Sequence, residues 1–290
     1  MQAPVIKNSP ARVIDIIKWA DNYFSLNGFE NSRIEIEWLL EEILNCKKVD
    51  LYLRYEEQLS LKQLNKLHTW MNRRIKKEPI QYIIGKCEFY GRSFIVNKDV
   101  FIPRAETETL INIVLSILGN IPGQNILDIC TGSGSIAVTL AKELNKANIS
   151  AIDISKKALE VAMINARRHK VDINFEQLDI LTTTYNHKID MLVCNPPYIP
   201  ISEMGMLMED IRLYEPEIAL TDGNDGLLFY KRISKLAPTI VKPGGQIVLE
   251  VGLNQHPTLV KNIFGVKPFT DLQIISDLNG DPRILKASIN

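Results

Sequence analysis

The chain has 290 residues, of which 46% are hydrophobic and 23% charged, as in an ordinary globular protein. This composition excludes wholesale disorder and a collagen-like repeat, and the length allows two domains. The 34 basic residues equal the 34 acidic ones, so the overall charge does not favour a polyanionic partner such as duplex DNA.

The four cysteines contain no Cys-x-x-Cys pair, which argues against a structural zinc site or a disulfide framework. No segment approaches the roughly 20 apolar residues of a membrane span, and the first 20 residues lack the apolar stretch of a signal peptide. The four histidines show no ligand spacing. We therefore expect a cytoplasmic protein without a metal ion and without a membrane anchor.

Residues 1–78 are predicted to form a small helical bundle. Ser9-Pro10 is a cap and first-turn pair for a first helix, which Gly28 ends, and Ser32-Arg33-Ile34-Glu35 is a capping box for a second. Apolar residues recur at the three- and four-residue steps of a helix face. They form three stripes: Val13, Ile16, Ile17, Ala20 and Phe24; Ile36, Leu39, Leu40, Ile43 and Leu44; and Leu61, Leu64, Leu67, Met71 and Ile75.

Pro79 ends the helical pattern, and residues 79–104 are predicted to be a β-hairpin linker. The segments 87–90 and 93–96 are predicted to be strands, with Gly91-Arg92 as the tight turn between them.

Residues 105–290 are predicted to be a Rossmann-like α/β domain, because short β-rich segments alternate there with helical stretches. The segments are 126–130, 149–154, 173–178, 189–194 and 246–251. In such sheets ligands bind at the carboxyl ends of the strands.

A glycine-rich loop follows the first of these strands and precedes a helix predicted over residues 136–144. Its glycines let the backbone approach a ligand, and the helix start offers unpaired N–H groups. Because Gly132-x-Gly134-x-x-Ala137 also satisfies the dinucleotide fingerprint, a dehydrogenase stays a possible interpretation. Asp153, at the end of the next strand, is placed to accept hydrogen bonds from ribose hydroxyls, which NAD and S-adenosylmethionine share.

Asp128 distinguishes between the two cofactors better than Asp153 does. A carboxylate beside the loop can meet a cationic amino-acid tail, whereas it would repel a pyrophosphate, so Asp128 favours S-adenosylmethionine. Asp128 could also hold the loop by accepting backbone hydrogen bonds, and both roles are compatible.

The tetrapeptide Asn195-Pro196-Pro197-Tyr198 follows the strand predicted over residues 189–194. Its prolines make the chain rigid and extended. The side-chain oxygen of Asn195 and the carbonyl of Pro196 can accept the two hydrogens of a planar –NH₂ group, and Tyr198 can lie against its flat face. The loop and the tetrapeptide together predict methyl transfer to an amide-type nitrogen.

These residues resemble the release-factor glutamine N5-methyltransferases, known as the HemK or PrmC family. The resemblance covers nearly the whole chain, and its hairpin and Ile102-Pro103-Arg104 segments are more specific than the tetrapeptide, which DNA and RNA amino-methyltransferases share. The matching motifs are Glu78-Pro-Ile-Gln-Tyr82, Glu88-Phe-Tyr-Gly91, Phe101-Ile-Pro-Arg-Ala-Glu-Thr-Glu108, Asp128-Ile-Cys-Thr-Gly-Ser-Gly134, Asn195-Pro-Pro-Tyr198, Glu215-Pro216, Asp225-Gly-Leu227 and Lys242-Pro-Gly-Gly245.

The resemblance implies a class I S-adenosylmethionine-dependent methyltransferase that methylates the glutamine of the Gly-Gly-Gln motif in peptide chain release factors, with the helical domain helping to recognise them. It implies cofactor binding by Phe101, Asp128, Cys130, Thr131, Gly132, Ser133, Gly134, Asp153, Ile180 and Asn195. It implies substrate binding by Asn195, Pro196, Pro197 and Tyr198, of which Asn195, Pro196 and Tyr198 are the catalytic candidates. Two positions depart from the family: Ile180 stands where many members have an aromatic residue next to adenine, and Ala105 where proline is usual.

Two further alternatives stay open at this point. A nucleic-acid adenine or cytosine amino-methyltransferase could use the same tetrapeptide, although the neutral net charge and the short loop after Tyr198 weigh against it. A non-catalytic adaptor could retain the fold. We expect a monomer whose partners are release factors, with neither a membrane nor a nucleic-acid substrate.

Overall fold

A computed structural model describes residues 12–119, 121–144 and 146–290 of the chain. The chain divides into two compact units, Met1–Ile84 and Gly85–Asn290, and the division lies inside the segment 79–104 that we predict as a linker. The predicted cap pair Ser9-Pro10 lies outside the described residues.

The first unit is helical. Its described helices are α1 (Val13–Leu26), α2 (Ser32–Leu44), α3 (Lys48–Leu53), α4 (Leu61–Ile75) and α5 (Ile80–Ile84). The three apolar stripes predicted from the sequence supply most of a shared core, in which Phe24, Leu39 and Leu67 are buried. Burial of these stripes in one cluster is what stabilises such short helices.

The predicted capping box at Ser32 is wrong. Ser32 is the first residue of α2, Asn31 stands at the cap position, and neither side chain caps the helix. The Ser32 hydroxyl donates instead to the carboxylate of Asp21, and Glu35 forms an ion pair with Arg74 at 2.6 Å. Tertiary partners have therefore replaced the local hydrogen bonds of the box.

The prediction that Pro79 ends the helical region is also wrong, since α5 follows it directly. The Pro79 carbonyl accepts hydrogen bonds from the N–H groups of Tyr82 (3.0 Å) and Ile83 (3.1 Å). Proline suits the start of a helix because its missing N–H would have no intrahelical partner there.

The second unit begins with a two-stranded hairpin, β1 (Lys86–Phe89) and β2 (Arg92–Ile95). Its turn is Tyr90-Gly91, one residue earlier than the predicted Gly91-Arg92, and both turn residues have positive φ, 50° and 65°. Two successive left-handed residues match the twist of a tight hairpin.

A seven-stranded mixed sheet forms the centre of the second unit. Its strands are β3 (Asn125–Ile129), β4 (Asn148–Asp153), β5 (Asn174–Gln177), β6 (Ile189–Cys194), β7 (Val241–Glu250), β8 (Phe269–Ser276) and β9 (Pro282–Ile289). Its described helices are α6 (Glu108–Leu118), α7 (Ser135–Glu143), α8 (Lys156–His169), α9 (Glu209–Tyr214), α10 (Glu217–Leu220), α11 (Leu228–Ile240) and α12 (His256–Phe264), with 3₁₀ turns at Ala105–Thr107 and Ile201–Met206.

The strand order is β5-β4-β3-β6-β7-β9-β8, in which the first five strands are parallel and β9 is antiparallel to both β7 and β8. The sequence predicts the five parallel strands. It does not predict β8 and β9. The antiparallel β9 distinguishes this sheet from the all-parallel order of a dinucleotide-binding domain, and so weighs against the dehydrogenase interpretation.

Apolar clusters cover both faces of the sheet. In β3, Leu127 and Ile129 belong to one cluster and Ile126 to the other, as expected when successive side chains point to opposite faces. Because both faces are covered, polar side chains are left to the strand ends, where the candidate site lies. None of the helices in the described ranges is long and apolar enough to cross a membrane.

Candidate active site

The glycine loop leaves the end of β3 through three left-handed residues. Cys130 (φ 59°), Gly132 (φ 54°) and Gly134 (φ 78°) have positive φ, so the strand predicted to include Cys130 ends one residue earlier, at Ile129. The Thr131 carbonyl accepts the Gly134 N–H at 2.8 Å. The chain thus turns back tightly and enters α7 directly after Gly134.

The two loop glycines have different roles. A β-carbon on Gly134 would lie 3.0 Å from that of Ala162 on α8, so glycine is needed there for close helix packing. A β-carbon on Gly132 would meet nothing nearer than the Cys130 carbonyl oxygen at 4.0 Å. Gly132 therefore satisfies the backbone conformation while leaving open space above the loop.

Asn165, which we did not predict, holds this loop to the hairpin. Its amide donates to the carbonyls of Ser133 (2.9 Å) and Ile95 (3.0 Å), and its oxygen accepts the Ile95 N–H at 2.7 Å. Asn165 is fully buried on α8. A buried asparagine in an otherwise apolar helix face is the signal that could have identified it.

Asp128 lies fully buried in β3, beneath the loop. Its Oδ2 accepts the Thr131 hydroxyl at 2.7 Å, while Oδ1 has no hydrogen-bond partner among the described residues. Burial raises the pKa of Asp128 to about 7. A buried carboxylate oxygen without a donor is a position at which a cationic ligand group is stabilised.

Asp153 closes the loop from the neighbouring strand β4. Its Oδ2 accepts the Gly132 N–H at 2.9 Å, and its Oδ1 accepts the Ser155 N–H at 2.8 Å. Burial raises the pKa of this carboxyl as well. Each carboxylate oxygen has a second lone pair, so Asp153 can still accept hydroxyl hydrogens from a ligand.

These features fit a cofactor that carries both a cationic amino-acid tail and a ribose. Asp128 offers the unpartnered oxygen for the cation, and Asp153 offers acceptors at the end of the adjacent strand. Gly132, which has open space around its β-carbon position, lies between Asp128 and Asp153 in the sequence. Carboxylate acceptors of this kind suit S-adenosylmethionine, whereas they would repel a pyrophosphate.

The tetrapeptide Asn195-Pro196-Pro197-Tyr198 leaves β6, next to β3, so Asn195 follows the strand end beside Cys130. The side-chain nitrogen of Asn195 donates to the Thr107 hydroxyl at 3.3 Å. The Thr107 hydroxyl donates in turn to Oε2 of Glu250 at 2.6 Å. The Tyr198 hydroxyl donates to Oε1 of the same carboxylate at 3.3 Å, so Glu250 is connected to both ends of the tetrapeptide.

Tyr198 is also held on its other sides. Its ring lies 5.9 Å from the His256 ring, and a β-carbon on Gly252 would come within 3.2 Å of the Tyr198 ring. His256 accepts the Gly252 N–H at 3.0 Å through Nδ1, and its Nε2 lies 3.1 Å from the Gly226 carbonyl. Burial lowers the pKa of His256 and, together with nearby Glu250, raises that of Tyr198. Both rings are therefore neutral at pH 7.

The 101–104 segment is attached to the loop beyond the tetrapeptide. Glu215, which is buried, accepts hydrogen bonds from the Ile102 N–H (3.2 Å) and from the guanidinium of Arg104. The Arg104 guanidinium also lies 4.6 Å from the centre of the Phe101 ring. Ala105, which replaces the usual proline, is exposed at the start of a 3₁₀ turn, and Glu215 holds the residues before it.

Ile180 lies beyond β5 and is buried in an apolar cluster. Its carbonyl accepts a hydrogen bond of 2.7 Å from Arg232. The contacts of all the predicted site residues with a cofactor stay predictions. The register of β3, β4 and β6 brings Asp128, Asp153 and Asn195 to the same edge of the sheet. The described residues contain no His, Cys, Asp and Glu cluster that could hold a metal ion.

Thr107 and Glu250, like Asn165, belong to this site without a role predicted from the sequence. Glu250 ends an otherwise apolar strand, and a lone carboxylate at the carboxyl end of a sheet strand could have identified it. Thr107 lies in a short 3₁₀ turn without a periodic pattern, and its only signal is its place inside the 101–108 motif of the family.

The sheet order and the glycine loop between two acidic strand ends define a class I S-adenosylmethionine-dependent methyltransferase. A methyltransferase from Pyrococcus furiosus has a similar fold, with a TM-score of 0.52 and 16% identity over 78% of this chain and 98% of that one. Residues 94–210 match the family model described as the methyltransferase small domain, and residues 15–85 match the PrmC N-terminal domain.

Two relatives extend this similarity to nearly the full length. The release factor glutamine methyltransferase of Geobacter sulfurreducens is 36% identical over 94% of this chain and 95% of its own length. That of Bacillus subtilis is 37% identical over 96% of this chain and 98% of its own length. The chain therefore belongs to the release factor glutamine methyltransferase family.

Proposed function

We propose that this protein transfers the methyl group of S-adenosylmethionine to the side-chain amide nitrogen, N5, of the glutamine in the Gly-Gly-Gln motif of peptide chain release factors. One observation carries the proposal: the chain is 36% identical, over 94% of its length, to a relative named release factor glutamine methyltransferase. This similarity includes the helical first unit, which a shared tetrapeptide alone would not explain.

The geometry supports the binding of a planar amide by the tetrapeptide. Pro196 and Pro197 are buried and rigid, and they present Asn195 and Tyr198 on either side. We propose that the Asn195 side-chain oxygen and the Pro196 carbonyl accept the two amide hydrogens while the Tyr198 ring packs against the flat face. Two acceptors raise electron density on a nitrogen whose lone pair is otherwise delocalised, and they favour the transition state over the planar ground state.

The cofactor would supply a methyl group already activated by a sulfonium. We propose that Asp128 binds its ammonium and Asp153 its ribose hydroxyls, while the glycine loop, with Cys130, Thr131 and Ser133, lies along it. No dedicated general base is required, since the amide proton becomes acidic as the new bond forms. The Asn195, Pro196 and Tyr198 groups then act by orientation.

We also propose that the protein is a cytoplasmic monomer, that its helical domain of residues 1–78 helps to recognise the release factor, and that nucleic acid is not its substrate. The family model matched by residues 15–85 supports a dedicated N-terminal domain. The balanced charge of 34 basic and 34 acidic residues supports a protein partner over duplex DNA.

The decisive experiment is a methyl-transfer assay with radiolabelled S-adenosylmethionine and an unmethylated release factor. We expect label on the release factor, and mass spectrometry of its Gly-Gly-Gln peptide should place one methyl group on the glutamine. A release factor with glutamate in place of that glutamine is the matched control and should take up no label. Label in DNA or RNA, with none in the release factor, would overturn the proposal in favour of a nucleic-acid amino-methyltransferase.

Asn195→Ala separates an enzyme from a non-catalytic adaptor. We expect this change to lower methyl transfer by on the order of a hundredfold, because the acceptor that orients the amide is lost. Cofactor binding, measured by calorimetry, should be comparatively preserved. Asn174→Ala, at an exposed position of β5, is the control. Equal activity of the two variants would contradict a role of Asn195 in catalysis.

A further inference from the structure

We infer that Glu250 is a positioning residue that acts through Thr107. It determines that the Asn195 side chain presents its oxygen, and not its –NH₂ group, to the substrate. This inference rests on the proposed function and deepens it, since it assigns a role to two residues that lie behind the tetrapeptide. Both are buried: Glu250 is 2% exposed and Thr107 3% exposed. Bulk water therefore does not compete for their hydrogen bonds.

The chain of hydrogen bonds has a direction. An ionised carboxylate only accepts hydrogen bonds, so the contact of 2.6 Å between Glu250 Oε2 and Thr107 Oγ1 uses the single hydrogen of the Thr107 hydroxyl. Thr107 can then only accept from Asn195, whose side-chain group at 3.3 Å must be the –NH₂ nitrogen. The Asn195 oxygen is left to accept a hydrogen from the substrate amide.

The second carboxylate oxygen holds the other end of the tetrapeptide. Glu250 Oε1 accepts the Tyr198 hydroxyl at 3.3 Å, and the main-chain carbonyl of Glu250 accepts the Tyr230 hydroxyl at 2.6 Å. Tyr230 is fully buried, so it anchors the backbone from which the carboxylate projects. One fixed carboxylate thereby sets the separation between the amide acceptor and the aromatic face.

Protonation of Glu250 would remove the fixed direction of the hydrogen bonds from Asn195 to Thr107 and from Thr107 to Glu250. A protonated carboxyl can donate to Thr107, which frees the Thr107 hydrogen to donate to the Asn195 oxygen. The Asn195 amide could then turn round and present its –NH₂ group to the substrate –NH₂ group. Two donors facing each other do not form a hydrogen bond, so the substrate amide would lose an acceptor.

The surroundings of Glu250 place this change near neutral pH. Burial and, to a smaller extent, the charge of Glu106 raise the pKa of Glu250, while Thr107, Arg283 and Tyr198 lower it, and together they place it at about 7. Tyr230 also faces the carboxylate, and its own pKa lies well above the ordinary value because it is buried. Glu250 is therefore the group around this hydrogen-bond chain whose charge changes in the neutral range.

Threonine-to-valine substitution tests the relay. Thr107→Val keeps the shape and removes the hydroxyl, so we expect kcat at saturating cofactor to fall on the order of tenfold to a hundredfold. Thr107→Ser should restore most of the lost activity. Thr139→Val is the matched control: Thr139 is also fully buried, but its hydroxyl has no hydrogen-bond partner among the described residues. Cofactor affinity, measured by calorimetry, should stay within about twofold in all three variants, because the relay faces the substrate amide.

The pH profile tests the carboxylate. In the wild type, kcat at saturating cofactor should fall as the pH drops below about 7, and it should level off at an activity close to that of Thr107→Val. Glu250→Gln cannot titrate, and its oxygen can still accept from Thr107. This variant should lose kcat several-fold above pH 7, because Tyr198 loses its carboxylate partner, but its remaining activity should no longer fall on acidification.

A spectroscopic readout does not require turnover. With asparagine-selective ¹⁵N labelling, the side-chain resonances of Asn195, assigned by their loss in Asn195→Ala, should shift between about pH 6 and pH 8 in the wild type and not in Glu250→Gln. If the Asn195 resonances do not shift in the wild type, the inference fails. If the wild type is inactive on release factors, the proposed function fails, so the two failures are distinguishable.

Wild-type kcat in Thr107→Val would overturn the inference. So would an acid limb of the kcat profile that persists unchanged in Glu250→Gln, since another group, such as Asp128, would then be responsible. If Thr107→Val does not fold, the comparison of pH profiles and of Asn195 resonances decides by itself.

Discussion

The α-carbon of Gly226 lies against the carbonyl group of Tyr198, so that a β-carbon on Gly226 would come within 2.2 Å of the Tyr198 oxygen. Gly226 also has a φ of 78°. We expect Gly226→Ala to destabilise the second unit and to lower methyl transfer, because Tyr198 must move away from its hydrogen bond with Glu250. Scanning calorimetry and the methyl-transfer assay measure the two effects.

Gly223→Ala is the matched control, because Gly223 has a φ of 75° but no atom within 4 Å of its β-carbon position. Backbone strain alone should destabilise it by about 1 to 2 kcal/mol. Gly226→Ala should be destabilised by roughly 2 kcal/mol more, since overpacking adds to the same strain. Equal unfolding temperatures of the two variants would contradict the contact with Tyr198.

The buried Asn165 side chain should be required for cofactor affinity. Asn165→Ala removes the hydrogen bonds to Ser133 in the glycine loop and to Ile95 in the hairpin, and it leaves the Ile95 N–H without its acceptor. We expect the Kd for S-adenosylmethionine to rise on the order of tenfold, because the loop is no longer held in one conformation. Calorimetric titration measures it, and exposed Asn174→Ala should leave Kd unchanged. An unaltered Kd in Asn165→Ala would show that the loop is held by other contacts.

Cofactor binding should release a proton from Asp128. Burial raises the pKa of this carboxyl to about 7, and an ammonium group binds its ionised form. The affinity should therefore increase as the pH rises through the neutral range, by about tenfold between pH 6 and pH 8. Titration calorimetry in buffers of different ionisation enthalpy detects the proton directly. Asp128→Asn, which can still accept from Thr131, should bind more weakly and lose the pH dependence. A pH-independent affinity in the wild type would rule out the ammonium contact.

Glu250 should make the folded protein less stable at alkaline pH. Its pKa is raised from an ordinary 4.5 to about 7 by burial, so its contribution to stability is fully present below pH 4.5 and is lost as the pH rises through 7. Between about pH 5.5 and pH 8 the free energy of unfolding should fall by about 2 kcal/mol on account of this group.

Glu250→Gln removes that contribution and leaves Asp128, the other buried carboxyl with a pKa near 7, in place. The unfolding temperature of each protein is measured as a function of pH. Subtracting the change seen in the variant from that seen in the wild type gives the contribution of Glu250. A variant as sensitive to pH as the wild type would show that Glu250 is already ionised, or solvated, in the folded state.

Most of the second unit was predictable because its signals are local. A parallel strand buried on both faces is a run of apolar residues, and β6 carries such a run from Met191 to Cys194. The edge strand β8 was missed because only Phe269 in it is buried, so its apolar pattern is weak. The capping box at Ser32 failed for the opposite reason: a good local pattern lost to the tertiary partners Asp21 and Arg74.

The parts of the site that are neighbours along the chain could be predicted from local patterns. Asp128 and the loop up to Gly134 form one strand, turn and helix start, and the tetrapeptide beginning at Asn195 is rigid because of its own prolines. Their placement at one edge of the sheet follows from strand alternation alone.

The orientation of the Asn195 amide depends instead on contacts between segments that are far apart in the sequence. Thr107 is 143 residues from Glu250 and 88 from Asn195, and a hydrogen bond depends on tenths of an ångström that the order of the strands and the packing of the loops set. The pKa of Glu250 likewise depends on burial, which no local pattern around a strand end reveals. Local motifs thus supply the chemical groups of the site, whereas contacts between distant segments orient the Asn195 side-chain amide.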